Sequence, residues 1–346
     1  MSAAALTGLR RLAWAAAALA LLIVVFGAFV RLSNAGLSCP DWPTCYGKLT
    51  WPTQAHEVAS ANAAYPDRPV ESGKAWREQV HRILVGALSV LTFALAAWAW
   101  RRRRELSGGA GAALAAAVVI VFQALLGMWT VTLKLLPAVV MAHLLGGMLL
   151  LALLAYVALR LTIAPASVPA SAALHRLTLL AVVLLVAQIA LGGWTSSNYA
   201  ALACGNDFPK CLGLWWPPTD FREGFVLWRG IGANYEGGVL DTAARSAIQI
   251  AHRIGAVVVF LFIGMLAIRA ARHAPLKPFA FALGGLLLLQ IGLGVANVML
   301  GLPLAVATAH TGVAALLLLA LLALLVRTGE GRGEKGEGKK NPIRRS

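Results

Sequence analysis

The sequence predicts an all-α polytopic membrane protein whose eight transmembrane helices form two pseudo-symmetric four-helix bundles. Three observations support this fold class: an apolar composition, eight long apolar runs and an internal repeat. Of the 346 residues, 59% are hydrophobic and only 13% are charged, whereas a soluble domain carries roughly 25% charged residues. Most of the solvent around this chain must therefore be lipid.

Each of the eight apolar runs is close to the ~20 residues that a helix needs to cross a bilayer. They lie at about Leu12–Val30, Ile83–Trp100, Ala112–Leu133, Ala138–Leu159, Leu177–Trp194, Ala247–Ile268, Phe279–Leu300 and Leu304–Val326. The first run follows two arginines, as a secretory signal would, but it is long and continues into Arg31 without a small-residue cleavage site. We interpret it as an uncleaved first helix.

The placement of the basic residues predicts the orientation of the chain. The net charge of +16 could indicate a nucleic-acid partner, but the basic residues lie between apolar runs and not along one exposed face, so we expect membrane lipid and no nucleic acid. With a cytoplasmic N-terminus, clusters such as Arg101–Arg104 lie inside, as the positive-inside rule requires. We expect an inner-membrane, multi-pass protein with both termini cytoplasmic and two long periplasmic loops, about Arg31–Arg77 and Thr195–Arg245.

The internal repeat begins in these two outer loops. Asp41-Trp-Pro-Thr-Cys45 recurs as Asp207-Phe-Pro-Lys-Cys211, and another cysteine precedes each copy. An even number of helices in each half gives both halves the same orientation, so the repeat is parallel. We place the boundary near Pro165–Pro169, which divides the chain into an N-terminal half (1–165), a C-terminal half (166–328) and a tail (329–346). The tail is rich in Gly, Glu, Lys and Arg, and we expect it to be disordered.

The repeat continues in the helices. His81-Arg82 and His252-Arg253 follow the two loops, with Gln79 and Gln249 a few residues upstream. The third helix of each half carries a glutamine and then a glycine, and each fourth helix carries a histidine. These residues are Gln123, Gly127 and His143 in the first half and Gln290, Gly294 and His310 in the second.

Four of the seven histidines therefore lie at matched positions near the outer ends of helices. They are His81, His143, His252 and His310. One buried histidine could simply bridge two helices, but a repeated pair of intramembrane ionisable residues points to function. Two histidines per half could clamp a flat macrocycle from opposite faces, as axial ligands of heme iron do. Arg82 and Arg253 could then meet heme propionates, although lipid phosphates would suit them equally.

Other metal sites fit the pattern less well. Zinc needs three or four ligands, and two histidines per half are too few unless Glu78 joins them. No Cys-x-x-Cys-His sequence occurs, which excludes a c-type heme attachment. The sequence therefore favours noncovalent heme bound by histidine pairs.

The four cysteines form two candidate disulfides in the outer loops, Cys39–Cys45 and Cys204–Cys211. An oxidising compartment favours such bonds, and a structural role is the simplest interpretation. A redox-active role for Cys39–Cys45 stays open, since short exposed disulfides are the labile kind.

Glu78 stands three residues before His81, on the same helix face, and the second half has no acid at the corresponding place. This asymmetry suggests that one heme is reacted upon while the other is retained. A glutamate that favours a helix start is the simpler alternative.

Two segments resemble the heme A synthases of bacteria and mitochondria. They are Arg31-Leu-Ser-Asn-Ala-Gly-Leu-Ser-Cys-Pro-Asp-Trp-Pro-Thr-Cys-Tyr-Gly47 and Glu78-x-x-His81-Arg82, and the repeated His143 and His310 agree with them. The resemblance implies an oxidoreductase that converts the C8 methyl of heme O to a formyl, giving heme A for cytochrome oxidase. It implies substrate heme on His81 and His143, and Glu78 as the catalytic acid or base.

The resemblance also implies a retained heme b on His252 and His310. Heme O is then the substrate, and heme O synthase, the cytochrome oxidase assembly machinery, an unidentified electron acceptor and a second copy in a homo-oligomer are candidate partners. Two other functions fit helices and histidines alone: a di-heme subunit that exchanges electrons with quinone, and a heme exporter or chaperone. Glu78 and the first-loop motif favour the enzyme.

Overall fold

The computed structural model describes residues 2–106, 109–163 and 171–329. Over these ranges the secondary structure is helical, with only isolated bridges at Cys45–Lys48 and Cys211–Leu214 outside the helices. The predicted boundary near Pro165–Pro169 and the tail after Gly329 lie outside the described residues.

Eight helices in the described part of the chain are long and apolar enough to cross a membrane. They are α1 (Ala3–Leu32), α3 (Ser72–Arg101), α4 (Gly109–Thr132), α5 (Pro137–Arg160), α6 (Ser171–Ser197), α8 (Thr242–Ala271), α9 (Lys277–Met299) and α10 (Leu304–Thr328). Two short helices, α2 (Ala55–Ala64) and α7 (Phe221–Gly224), lie in the two long loops. The prediction of an all-α polytopic membrane protein with eight transmembrane helices is confirmed.

Two of these helices begin well before their apolar runs. Helix α3 starts at Ser72 and not near Ile83, and α8 starts at Thr242, where the Asp241 side chain accepts a hydrogen bond of 2.8 Å from the Ala244 backbone N–H. Helix-forming polar residues continue a helix outside lipid as well as apolar ones do inside it. His81 and His252 therefore lie in the third turn of their helices and not at the first.

The long helices pack in two rings of four. In the first ring, α3 and α5 each pack against α1 and α4, so that α3 and α5 are diagonal to each other. In the second ring, α8 and α10 are diagonal, and each packs against α6 and α9. Contacts of α10 with α1 and α5, and of α5 with α6, join the rings. This arrangement is consistent with the predicted pair of four-helix bundles.

Small side chains allow the helices to approach closely. In α1, Ala13, Ala16, Ala17 and Ala20 are buried, and α10 is the most buried of the eight spans. Lipid tails are as apolar as leucine, so tight van der Waals packing between small residues is what holds such helices together. These contacts fix α1 and α10 at the junction of the two rings.

Both candidate disulfides, Cys39–Cys45 and Cys204–Cys211, are present in the structure. Each closes a tight turn that an aspartate stabilises. Asp41 accepts the backbone N–H groups of Tyr46 at 2.6 Å and Gly47 at 2.8 Å. Burial alone would raise the pKa of Asp41, but hydrogen bonds from Thr44 and these two amides outweigh it and hold that pKa below its usual value.

The same turn recurs in the second loop, where Asp207 accepts the Gly213 N–H at 2.6 Å. The loops also contact each other, since Arg68 Nη1 lies 3.1 Å from Glu236 Oε2. A further link joins α1 to α6, because Arg31 Nη2 donates to the Ser196 carbonyl at 2.7 Å. These bonds tie the loop-bearing ends of the two halves together.

Candidate histidine site

The four predicted histidines lie on the two diagonal helix pairs. His81 on α3 and His143 on α5 lie on the two diagonal helices of the first ring, and His252 on α8 and His310 on α10 lie on those of the second. All four side chains are half-buried. The structure thus brings together within each half the two histidines that the repeat singled out, from opposite sides of a helix ring.

In the first half, each imidazole lies against a glycine of a neighbouring helix. A Cβ placed on Gly27 of α1 would lie 2.9 Å from His81 Cε1, and one placed on Gly127 of α4 would lie 3.4 Å from His143 Cε1. The Phe26 ring, next to Gly27 on the same helix, stacks with His81 at a centroid distance of 6.4 Å. A larger residue at Gly27 would need the space that the His81 ring occupies, so this glycine helps to define the ring position.

The second half repeats this contact. A Cβ on Gly192 of α6 would lie 3.1 Å from His252 Cε1, and one on Gly294 of α9 would lie 3.2 Å from His310 Cε1. The nearest heavy atom to each of these glycines is thus the same carbon of an imidazole ring. Each of the four imidazoles thus packs against a glycine of a neighbouring helix, where no side chain intervenes. We call this contact the glycine seat.

One helical turn before Gly127 and before Gly294, a glutamine contacts the histidine of the neighbouring helix. Gln123 Nε2 donates to the His143 carbonyl at 2.8 Å, and Gln290 Nε2 lies 3.2 Å from His310 Nε2. Sequence comparison had singled out both glutamines through the repeat, and the structure shows their contact with the histidine twenty positions later in each half.

A third glutamine, Gln188 on α6, was missed by the sequence analysis. Its Nε2 donates to the His252 carbonyl at 2.9 Å and lies 3.1 Å from His252 Nδ1. The signal was present, because Gln188 stands four residues before Gly192, as Gln123 stands before Gly127. Gly27 was missed for a different reason, since Ile23 takes the place of the glutamine in α1.

The nitrogen atoms of the histidines fit an axial ligand role. Nδ1 of His81, His143 and His310 is buried with no hydrogen-bond partner in the ranges that the structure covers, and buried polar atoms of this kind are rare in folded proteins. No cluster of three or more His, Cys, Asp or Glu within those ranges could hold a metal ion. A pair of imidazoles suits the two axial positions of heme iron and falls short of a zinc site.

Arg82 fastens the first disulfide loop to α3. Its Nη1 donates to the carbonyls of Asp41 at 2.8 Å and Thr44 at 2.6 Å, while its Nη2 binds Glu78 Oε1 at 2.6 Å. Such charge-assisted bonds to a half-buried guanidinium are stronger than neutral ones. We call this set of bonds from Arg82 to the loop carbonyls the arginine clamp.

Arg253 forms the matching clamp in the second half. It donates to the carbonyls of Lys210 at 2.8 Å, Asp207 at 3.1 Å and Pro209 at 3.2 Å. Both arginines that we expected to reach propionates or lipid phosphates therefore hold loops. Contact of either guanidinium with a propionate stays a prediction.

Glu78 lies at the junction of the first loop and α3, and only 5% of it is exposed. Its Oε2 accepts the Cys39 backbone N–H at 2.9 Å and the Ser38 hydroxyl at 3.1 Å, and its Oε1 pairs with Arg82. The carboxylate is thus held one helical turn from His81 and directly beside the disulfide. Its contacts are structural in part, and they also fix its position relative to the histidine.

Known proteins resemble this chain over almost its whole length. The COX15-CtaA family model, described as cytochrome oxidase assembly protein, matches residues 10–322. Heme A synthase of Shewanella oneidensis is 45% identical over 303 residues, which cover 86% of this chain and 90% of that protein. Heme A synthase of Rhizorhabdus wittichii is 30% identical over 328 residues, covering 88% and 90%. That of Methylorubrum populi is 29% identical over 322 residues, covering 85% and 80%.

Proposed function

Since the chain belongs to the COX15-CtaA family, whose curated relatives are heme A synthases, we propose that it oxidises the C8 methyl of heme O with its N-terminal half. The enzyme is an oxidoreductase of the membrane that converts heme O to heme A. The observation that carries the proposal is the pair of imidazoles on diagonal helices, His81 and His143, each seated against a glycine.

His81 and His143 would bind the substrate iron from its two faces. Two imidazoles leave no axial position open to water or O2, so the histidines direct reaction to the edge of the macrocycle. The glycine seats at Gly27 and Gly127 fix the rings and thereby the plane of the substrate. This positioning is the first contribution of the chain to catalysis.

Glu78 would take up a proton as the methyl is oxidised. Oxidation of the methyl releases protons together with electrons, and the electrons would pass to the unidentified electron acceptor. A general base placed to take a proton in such a step typically contributes 10²–10⁴-fold. Hydrogen bonds from Cys39 and Ser38 and the ion pair with Arg82 keep Glu78 fixed one turn from His81.

His252 and His310 would hold a resident heme b in the second half. When bound, that heme would supply a one-electron relay, and the chain contributes the two imidazoles, their glycine seats and the hydrogen bond from Gln188 to the His252 backbone. Arg82 and Arg253 would add contacts to propionates through donors beyond those in the clamps. Heme O synthase and the cytochrome oxidase assembly machinery would supply the substrate and take the product.

The orientation of the chain completes the proposal. We place both termini on the cytoplasmic side, because the arginines of Arg101–Arg104 then lie inside. Both disulfide loops then lie in the oxidising periplasm. The N-terminal half (1–165) holds the substrate site and the C-terminal half (166–328) the resident site.

The experiment that tests the two sites replaces each histidine in turn with leucine, which cannot coordinate iron, and records absorbance spectra of the purified protein. Loss of His252 or His310 should remove the resident heme signal, and loss of His81 or His143 should stop heme A formation while that signal survives. His273, which lies between α8 and α9, is the matched control. One common spectrum from all four variants would contradict the assignment of the two sites.

A second experiment tests Glu78 through Glu78→Gln, with Glu71→Gln at the start of the same helix as control. The glutamine keeps size and hydrogen bonding but does not take a proton at neutral pH. The variant should bind heme in both halves and accumulate heme O or a partly oxidised alcohol when co-expressed with a heme O synthase. Loss of all heme would mark Glu78 as structural, and wild-type yields of heme A would place the base elsewhere.

Extraction of the bound pigments also separates the enzyme from its rival. Heme O or A beside heme b supports the enzyme. Heme b alone would support an electron carrier that exchanges electrons with quinone and alters no substrate.

A further inference from the structure

Two arginines lie one helical turn from the contact between Gly27 and His81, on the side of the first loop. Arg31 follows Gly27 by four residues in α1, and Arg77 precedes His81 by four residues in α3. Residues four apart in an α-helix share a face and differ in height by about one turn. Both arginines are therefore placed beside the His81 seat, toward the end of the bundle that carries the loops.

The Arg77 side chain reaches from α3 across to α1. Its Cζ lies 5.1 Å from the centroid of the Phe29 ring and 5.8 Å from that of Trp76. Phe26 connects this group to the histidine, because its ring centroid lies 5.8 Å from that of Phe29 and 6.4 Å from that of His81. Arg77 thus belongs to the same interface between α1 and α3 as the imidazole.

Neither arginine has a carboxylate within ion-pair distance among the residues that the structure describes. Both side chains are half-buried, and the Nε atom of each is buried without a hydrogen-bond partner in the same residues. Arg31 is held from one side only, since its Nη2 donates to the Ser196 carbonyl and its Cζ lies 4.3 Å from the centroid of the Tyr199 ring. A partly buried cation without a counter-charge is costly. Two of them beside one site predict an anionic ligand, for which guanidinium groups are well suited.

The second half has no counterpart of this pair. Ser196 follows Gly192 by four residues, and Ile248 precedes His252 by four, so a serine and an isoleucine occupy the two matched positions. The glycine seat and the arginine clamp are present in both halves, so this fold forms without arginines at these positions. The two cations therefore distinguish the first histidine site from the second.

We propose that Arg31 and Arg77 form the carboxylate-binding site for the propionates of the substrate heme. This inference rests on the proposed function, in which His81 and His143 bind the substrate iron. The two propionates project from one edge of a heme, so the groups that receive them must lie beside the iron ligands and not in line with them. Charge is costly in lipid, which directs this edge toward the loop-bearing end, where both arginines lie.

The clamp arginine of the first half suits the propionates less well. Arg82 Nη1 donates to two loop carbonyls, and its Nη2 is paired with Glu78. A guanidinium that already has an acidic partner gains less from a second carboxylate than an unpaired one does. The cations of Arg31 and Arg77 have no such partner among the described residues, and they are the ones left for the substrate.

The carboxylate site has a consequence for the choice of the methyl group. Two axial imidazoles fix the plane of the macrocycle but leave it free to rotate about the axis through the iron. Binding of the propionates at one edge stops this rotation. Arg31 and Arg77 would therefore act as positioning residues that decide which methyl group is presented to Glu78.

The test is a titration of the purified full-length protein with ferric protoporphyrin IX and with its dimethyl ester, followed by absorbance. The two porphyrins offer the same iron, but only the first has free carboxylates. Arg77→Gln should lower the affinity for the free porphyrin roughly 10- to 100-fold, as expected when hydrogen bonds to a charged group are lost. It should leave the affinity for the ester nearly unchanged, and Arg31→Gln should act in the same direction. Lys74→Gln is the control, because Lys74 lies one turn further toward the loop and is already paired with Glu71 at 2.8 Å.

Equal losses for the free porphyrin and the ester in Arg77→Gln would overturn the inference, since the arginine would then support the packing of the aromatic rings. No loss for either porphyrin would also overturn it, and phospholipid that co-purifies with the unaltered protein but not with Arg77→Gln would identify lipid phosphate as the anion. If Arg77→Gln does not fold, Arg77→Lys decides, because it keeps the charge and loses the planar fork. A loss confined to the free porphyrin supports the inference, and an equal change for both overturns it. Failure of the proposed function appears separately, as His81→Leu binding the free porphyrin as tightly as the unaltered protein does.

Discussion

Replacing Gly27 with alanine should displace the His81 imidazole and weaken binding of heme in the first half. Gly27 lies on α1, and its alanine Cβ would lie 2.9 Å from His81 Cε1 and 3.6 Å from both ring nitrogens. Two carbon atoms are at their best separation about 3.5–4.0 Å apart. The ring or the α1 backbone must therefore move by roughly 0.6 Å or more.

The size of the effect follows from this overlap. Inserting a methyl group into a packed site costs about 1–3 kcal/mol. Alanine in place of glycine also stabilises the helix by about 1 kcal/mol, but it does so equally in the free and the heme-bound protein and leaves heme affinity unchanged. The strain acts on the bound state, since His81 must occupy its seat to reach the iron. With a tenfold change for each 1.4 kcal/mol, affinity should fall on the order of 5- to 100-fold.

The assay is the heme-to-protein ratio after purification, together with the rate of heme loss to excess apomyoglobin. Gly127→Ala is a graded comparison, because its Cβ would lie 3.4 Å from His143 and should have a smaller effect. Gly292→Ala on α9 is the control, because a Cβ there meets nothing within 4 Å among the described residues. Equal heme content and loss rates in Gly27→Ala and Gly292→Ala would refute the role of the glycine seat.

Three further predictions concern the loops and the second site. Thiol labelling of spheroplasts should find all four cysteines unreactive until a reductant is added, and free thiols in both pairs would contradict the periplasmic assignment. The Lys48 side chain and two backbone amides lower the pKa of Glu57 to about 2. The ionised form of Glu57 therefore contributes fully to loop stability above its unfolded-state pKa near 4.5, and this contribution is lost as the pH falls toward 2. The rate of proteolysis of the loop should rise over that pH range in the unaltered protein, and it should rise less in Glu57→Gln, which has no carboxylate to protonate. Gln188→Met removes the hydrogen bond to the His252 backbone and should weaken the second site 10–100-fold, measured as heme loss.

The spans could be predicted because lipid leaves a plain pattern in the sequence, and duplication singled out the four histidines, whose role as heme ligands stays a prediction. A helix in hydrocarbon must be apolar over a fixed length, and the repetition of His81 as His252 separates the candidate ligands from the histidines that occur once. The starts of α3 and α8 were predicted too late. An apolar run begins where the chain enters lipid, whereas these two helices begin earlier, outside the lipid. Asp241 is a mark of the start of α8 in the sequence, whereas the N-cap residue of α3, Glu71, makes no side-chain capping bond.

The contacts of Glu78 and the arginine clamps could not be predicted. Their partners are backbone groups of a loop about forty residues earlier in the chain, and no spacing rule says where such a loop returns. Gln188 was within reach, since its Gln-x-x-x-Gly pattern repeats that of Gln123. The repeat did not reveal Gln188, because the first-half counterpart of α6 is α1, which has isoleucine at the corresponding position.

Because the arginine clamp joins the first disulfide loop to α3, fluorescence from that loop could report on changes at His81. Arg82 follows His81 directly in α3, and Gln79 on the same helix donates to the Leu49 carbonyl at 2.7 Å. Leu49 itself is 80% exposed. A fluorescent amino acid at position 49 would thus be coupled through Gln79 and its helix to His81, the proposed ligand of the substrate iron. Arrival and departure of heme could then be timed from this loop, without labelling either histidine.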